Sequence, residues 1–228
     1  MRGRYVKYLM SYLDYVKKPS PTVICVGKNY IKHVKEMGDK EIPEVPLLFL
    51  KHWSSVNYAP KALPLPMSVN HQVHHELELG VFISKPGSNI PKEKAMEHVG
   101  SYFLGIDFTD RDAQGEERKQ GFPWTLSKGQ KNFCPLSDPI DKDIDPYNIE
   151  LELKVNGKVR QKDMTSVMHF KIDDIISYAS TCFELAEGDL ILTGTPDGVG
   201  RVVPGDVVEG RATYGEKVLA ELNFEVTE

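Results

Sequence analysis

Two glutamates two residues apart, Glu76 and Glu78, sit in the stretch HHELELGVFIS, and the chain spells Glu-Leu-Glu-Leu again at Glu150 to Leu153 in NIELELKVNGK. In a β-strand alternate side chains share a face, so Glu76 and Glu78 point one way and Leu77, Leu79, Val81 and Ile83 the other. The glutamate face continues through Gly80 to Phe82, the pattern of a partly covered surface. Two carboxylates a few ångströms apart on such a surface repel one another unless a proton or a cation intervenes. A hard divalent cation resolves that conflict. Mg²⁺ takes about six oxygens, so a third acid must come from elsewhere. Asp107, at the end of an apolar run in YFLGIDFTDRDAQ, is the best-placed candidate, because strand ends put side chains at the mouth of a cleft. In the second copy the face runs Glu150, Glu152, Lys154 toward a hairpin turn, with Gln161 roughly opposite Glu152, as on a solvated surface. A polar strand face also produces Glu-x-Glu with no ligand at all. His74 and His75 raise a zinc alternative, but neighbours in a strand face opposite ways and no further His or Cys falls at ligand spacing.

Other residues could do proton or anion chemistry. In GKNYIKHVKEM, His33 and Glu36 lie three apart on a short helix, where the carboxylate can orient the imidazole as a general base; an exposed helical ion pair has the same spacing. Lys128 in PWTLSKGQKNF could clamp developing negative charge, or be a solvated loop lysine. Arg111, Asp112 and Gln114 could hold a carboxylate or cap the helix they begin. TGTPDGVG, from Thr193 to Gly200, offers backbone N–H groups and hydroxyls to an anion, but lacks the Lys-Ser/Thr ending of a nucleotide loop.

These groups need strands to carry them, and strand-like runs dominate: TVICVG, PLLFLKH, ELELGVFIS, YFLGIDFT, IELELKVNGKVRQ, GDLILTGT, GDVVEG and KVLAELNFEV. Asn156-Gly157 marks a two-residue hairpin, and PKEKAMEHV, DRDAQGEERKQ and IDDIISYASTCF read as short helices. Strands and helices do not alternate regularly, which argues against a doubly wound sheet. The fold class is therefore mainly β with short helices (α+β), in one domain over 21–228. The stretch from about Lys119 to Asp145 reads as a long connection of the kind that is often functional. At 228 residues with a net charge of -5, the chain can bury a full core and shows no broad basic face for nucleic acid or anionic lipid. Cys25, Cys134 and Cys182 are odd in number and widely spaced, so they read as thiols of a reducing compartment. Residues 1–20 are basic and amphipathic at helical spacing, which fits a mitochondrial targeting segment or a helix packed on the domain. No apolar run is long enough to span a membrane.

Taken in order, VICVGKNYIKHVKE, PLLFLK, HHELELGVFI, GIDFTDRDAQ, GFPWTLSKGQ, CPL and LAEGDLILTGTPDGVG resemble the fumarylacetoacetate hydrolase family, from about Thr22 to Val226. The likeness is to the short acylpyruvase and oxaloacetate-handling branch. It implies a mixed β-sandwich roll, a homodimer, a mitochondrial or cytoplasmic location and a Mg²⁺ or Mn²⁺ site. It also implies that Glu76, Glu78 and Asp107 bind the metal, that His33 and Glu36 form a catalytic dyad on a lid, and that Lys128 is the catalytic loop lysine. Arg111, Gln114 and Thr195 fall where the family contacts substrate, whereas Glu150 and Glu152 fall outside its motif. One departure is Gln130, where relatives carry an aromatic residue; a polar side chain there could loosen the packing behind Lys128 or change the accepted substrate tail.

The activity so implied is metal-dependent work on short α-keto or β-diketo acids: acylpyruvate hydrolysis releasing pyruvate, oxaloacetate decarboxylation, or, as an alternative, oxaloacetate keto-enol tautomerisation. A non-catalytic α-keto acid binding protein would not need the dyad and Lys128. A phosphohydrolase would need a basic, glycine-rich cradle near the carboxylates.

Overall fold

The computed structural model describes residues 20–38, 41–66 and 71–228. The N-terminal stretch read as a helix or targeting segment lies, for 1–19, outside the described residues. The strands are β1 (Val23–Gly27), β2 (Leu47–Lys51), β3 (Val56–Tyr58), β4 (Ala62–Pro64), β5 (Val73–His75), β6 (Leu77–Ile83), β7 (Val99–Ile106) and β8 (Thr109–Asp110). They continue as β9 (Cys134–Leu136), β10 (Glu150–Val155), β11 (Lys158–Met164), β12 (Leu190–Leu192), β13 (Gly200–Val202), β14 (Val207–Tyr214) and β15 (Lys217–Thr227). The helices are α1 (Ile31–Glu36), α2 (Arg111–Gln120), α3 (Thr125–Lys128) and α4 (Ile172–Cys182).

A seven-stranded sheet runs β2-β1-β12-β6-β7-β9-β3, a five-stranded sheet runs β11-β10-β14-β15-β4, and a small third sheet runs β13-β5-β8. Parallel pairs, β1 with β12, β3 with β9 and β15 with β4, mix with antiparallel ones, as expected of a mixed sandwich roll. The main core forms where the two large sheets face each other. Leu79, Val81, Leu104 and Ile106 of one sheet join Leu151, Leu153, Val208, Leu222 and Phe224 of the other, all buried. Each such side chain contributes about 1.5–3 kcal/mol when fully removed from water. α4 closes this core with Ile172, Ile175, Ile176 and Ala179. The outer face of the seven-stranded sheet carries a second cluster that includes Cys25 and Cys134, whose thiols burial pushes upward in pKa, to about 12 for Cys134. Both are free, as is the exposed Cys182.

Most strand and helix expectations hold; GDLILTGT keeps only Leu190–Leu192 as strand, whereas GDVVEG and KVLAELNFEV extend to Val207–Tyr214 and Lys217–Thr227. PKEKAMEHV forms a 3-10 helix over Lys92–His98, and the stretch from Lys119 to Asp145 is not bare loop, since it holds α3 and β9.

The β10–β11 hairpin departs from expectation in one consequential way. Asn156 and Gly157 both have positive φ (52° and 73°), the conformation that a two-residue I′ turn demands. Regular pairing from that turn would set Gln161 opposite Glu152. Instead the register shifts between Leu153 and Lys154, so Gln161 pairs with Leu153 and Lys162 with Glu152. One extra residue on the β11 side reverses the face on which each later side chain lies. Glu150 and Glu152 stay on the outer face with Lys162 at 3.0 and 3.3 Å, whereas Gln161 is fully buried.

The bulged strand also receives the TGTPDGVG turn. Gly198 has φ +90°, and a Cβ there would lie 1.9 Å from the carbonyl oxygen of Arg160. Gly198→Ala is therefore expected to destabilise the protein by about 2 kcal/mol or more through backbone strain and the forced retreat of β11. Urea denaturation in the presence of chelator measures this; a change near zero would show that the turn does not rest on β11 as described.

Candidate active site

The pairing of β6 with β7 brings the acids together. Leu77 opposes Ile106 and Glu78 opposes Gly105, so the residue before β6, Glu76, meets the residue after β7, Asp107. The Asp107 N–H donates to the Glu76 carbonyl at 2.9 Å. Glu78 lies on β6 itself, one residue inward from Leu77. Glu76, Glu78 and Asp107 are each buried, and each offers a carboxylate oxygen within 4.8 Å of the others. A buried all-oxygen set of this kind suits a hard cation such as Mg²⁺ or Mn²⁺, and neither His74 nor His75 belongs to it.

Three buried or half-buried cations face the three acids. Lys128 Nζ lies 2.6 Å from Asp107 Oδ2 and 3.2 Å from Glu76 Oε2. Lys51 Nζ lies 2.6 Å from Asp107 Oδ1 and donates to the Phe108 carbonyl at 3.1 Å. Arg111 Nη2 lies 2.6 Å from Glu76 Oε1, while its Nη1 donates to Gln114 Oε1 at 2.9 Å. Thr109 Oγ1 donates to Glu76 Oε1 at 2.8 Å, and the Gly194 N–H donates to Glu78 Oε2 at 2.6 Å.

The surroundings split the acids electrostatically. Burial disfavours the Glu76 carboxylate, but Lys128, Arg111 and His33 outweigh it and hold the group well below the ordinary range. Glu78 goes the other way: burial, then the charges of Asp107 and Glu76, push it well above the ordinary range despite the Gly194 N–H and Lys128. Burial opposes the charge of Lys128, yet Asp107 and Glu76 together raise its pKa.

His33, Glu76, Glu78, Arg111, Lys128 and Thr195 line one cleft, with Gln114 beside them. His33 Nδ1 is 3.1 Å from Glu36 Oε2, which assigns the ring proton to Nδ1 and leaves Nε2 able to accept another. Glu36 also accepts from the Gly198 N–H at 3.0 and 3.2 Å, so α1 is latched to the turn after β12. The Thr195 hydroxyl points at the β6 backbone, 2.8 Å from the Leu77 carbonyl. Helix α2 is capped by Asp110, which accepts from the Ala113 N–H, and this leaves Arg111 and Gln114 to the cleft, while Asp112 accepts from the Gln72 N–H.

Gln130 follows Lys128 by two residues, and Lys128 is buried. Gln130 Nε2 donates to the Leu126 carbonyl at 2.9 Å, and the aromatic ring against Lys128 is Phe49, 4.8 Å from Nζ to the centroid. Sequence reasoning missed Lys51, Gln161 and Glu117. Lys51 had a legible signal, a lysine closing the apolar strand PLLFLK. Glu117 is a buried acid that accepts from Ser127 Oγ and the Leu126 N–H and so holds the helix that carries Lys128, a contact that α2's sequence does not announce.

Residues 22–226 match the family described as fumarylacetoacetate (FAA) hydrolase, C-terminal. The chain is 48% identical over 190 residues to the mitochondrial oxaloacetate tautomerase FAHD1 of Mus musculus, covering 82% of this chain and 85% of that one. It is 44% identical over 192 residues to the mitochondrial oxaloacetate decarboxylase of Dictyostelium discoideum, covering 82% and 86%. Its fold superposes with a TM-score of 0.85 on a fumarylpyruvate hydrolase from Pseudomonas aeruginosa, solved in complex with Mn²⁺ and pyruvate, at 35% identity over 92% of this chain and 90% of that one. The chain belongs to the fumarylacetoacetate hydrolase family.

Proposed function

We propose that this protein is a divalent-cation-dependent enzyme acting on short α-keto and β-diketo acids, with oxaloacetate and acylpyruvates as substrates. The observation that carries this reading is the buried carboxylate triad, matched by Lys51, Lys128 and Arg111, in a cleft that also holds an imidazole–carboxylate pair. With all six groups ionised the cluster is neutral, so a divalent cation leaves it positive by about two charges and suited to an anionic substrate. Glu76, Glu78 and Asp107 would hold Mg²⁺ or Mn²⁺. The bound cation supplies Lewis acidity to the keto and carboxylate oxygens of the substrate.

The chain's own groups then divide the remaining work. Lys128 offers a fixed positive charge to the oxygen on which enolate charge develops, and Arg111 and Gln114 bind the substrate from the first turn of α2. His33 Nε2 accepts a proton, either from the carbon beside the keto group in tautomerisation or from the water that attacks the distal carbonyl of an acylpyruvate. Glu36 stabilises the imidazolium that results. Decarboxylation of oxaloacetate needs no base, because loss of CO₂ itself leaves the enolate, which then takes its proton from solvent. The likeness to relatives named for tautomerisation and decarboxylation, and to a fumarylpyruvate hydrolase, supports all three reactions on one site.

The mitochondrial relatives and the basic, amphipathic residues 1–20 support a mitochondrial location. Exposed Leu50, Trp53, Phe122 and Leu126 on and near the edge strand β2 give a homodimer an apolar face to cover. Among the described residues no helix is long and apolar enough to cross a membrane.

The deciding experiment follows acetylpyruvate and oxaloacetate side by side, with Mg²⁺ and with chelator, recording enol absorbance and pyruvate separately. Metal-dependent pyruvate release marks hydrolysis or decarboxylation, and enol loss from oxaloacetate without pyruvate marks tautomerisation. No metal-dependent change in either substrate sinks the proposal. His33→Ala should lower hydrolysis and tautomerisation by about 10²- to 10⁴-fold while Mn²⁺ binding persists; undiminished hydrolysis would remove His33 from the mechanism. Because Glu78 holds its proton to unusually high pH, metal must displace that proton. Apparent Mn²⁺ affinity should therefore rise with pH until Glu78 is fully ionised, and a pH-independent affinity measured by calorimetry would contradict the assigned ligand.

A further inference from the structure

β11 lies at the edge of the five-stranded sheet, and its residues Lys158, Val159, Arg160 and Lys162 are exposed. Gln161 alone in this strand is fully buried, turned inward by the register shift in the hairpin. Its Oε1 accepts from the Leu77 N–H and from His75 Nδ1, both at 3.0 Å. Its Nε2 donates to Thr195 Oγ1 at 2.7 Å and to the Pro196 carbonyl at 2.9 Å. A backbone N–H can only donate and a carbonyl can only accept, so the amide has one orientation, and His75 carries its proton on Nδ1. The same logic fixes the Thr195 hydroxyl. It accepts from Gln161, and its single proton goes to the Leu77 carbonyl at 2.8 Å. That proton is committed to the backbone, so the hydroxyl meets a substrate as an acceptor and anion contacts at Thr195 must come from elsewhere on the residue.

Leu77 is the residue between Glu76 and Glu78. Its N–H is held by Gln161 and its carbonyl by Thr195, which Gln161 itself orients. We infer that Gln161 is a positioning residue of the active site, which fixes the spacing of the Glu76 and Glu78 carboxylates and sets them against the turn that carries Thr195. It touches neither substrate nor the carboxylates; it acts through the Leu77 backbone. Polar groups that orient a metal-binding segment in this way commonly change metal affinity about 10- to 100-fold when removed. The inference rests on the reading of Glu76, Glu78 and Asp107 as cation ligands.

The test measures Mn²⁺ affinity by electron paramagnetic resonance in the wild type, Gln161→Met, Thr195→Val and the double variant, with thermal melting in chelator reporting how far each is destabilised. Gln161→Met should weaken Mn²⁺ binding about tenfold or more at a temperature where it is fully folded. Thr195→Val should add less to that loss than it causes alone, because both changes release the same backbone segment. Should Gln161→Met fail to fold, Gln161→Glu keeps an acceptor for Leu77 and His75, loses the Nε2 donations to Thr195 and Pro196, and should still weaken binding measurably. A folded variant that melts earlier but binds Mn²⁺ within twofold of wild type has lost only stability, which overturns the inference and leaves the metal reading standing. A wild type that binds no Mn²⁺ overturns the metal reading, and this inference with it.

Discussion

The organisation of this molecule turns on three carboxylates gathered in a buried place. Two like charges about 4 Å apart repel by about 4 kcal/mol at an effective dielectric constant of about 20, before the cost of leaving water is counted. Glu76, Glu78 and Asp107 bear that burden together, each buried. Lys51, Lys128 and Arg111 offset it, and each comes from a different part of the chain: the end of β2, the end of α3 and the start of α2. The lysine that closes the apolar strand β2 and the one at the end of α3 both lie 2.6 Å from Asp107. Compensation is uneven, with Glu76 held low by Lys128 and Arg111 and Glu78 driven high by burial and by the charges of Asp107 and Glu76.

Around this centre the fold uses backbone pairing to place charges and polar side chains to hold the backbone. The β6–β7 register sets Glu76 opposite Asp107. The turn after β12 delivers three N–H or hydroxyl groups to the same region: Gly194 to Glu78, Thr195 to the Leu77 carbonyl and Gly198 to Glu36. Through Glu36 the last of these joins the His33 helix to the turn, so the His33–Glu36 pair and the carboxylate triad share a support. Gln161, brought inside by a single bulge, ties that support to the second sheet.

The sequence by itself determined a good deal. Alternation along ELELGVFIS set the faces of the strand, Asn156-Gly157 set a hairpin, and the ordered motifs from VICVGKNY to TGTPDGVG pointed to the family and to Glu76, Glu78, Asp107, His33, Glu36 and Lys128. These signals are local, since they depend on side-chain period and turn chemistry within a few residues. Gln161 and Lys51 were decided elsewhere. A bulge is one extra residue whose position depends on what the strand packs against, so pattern alone left Gln161 on the solvated face. The charge of Lys51 is tolerable only because Asp107, distant in sequence, arrives at 2.6 Å from it. Which acid is held low and which is driven high is likewise a sum over neighbours from several strands and helices. Only tertiary structure could decide it, because electrostatic energy depends on distance and burial rather than on order along the chain.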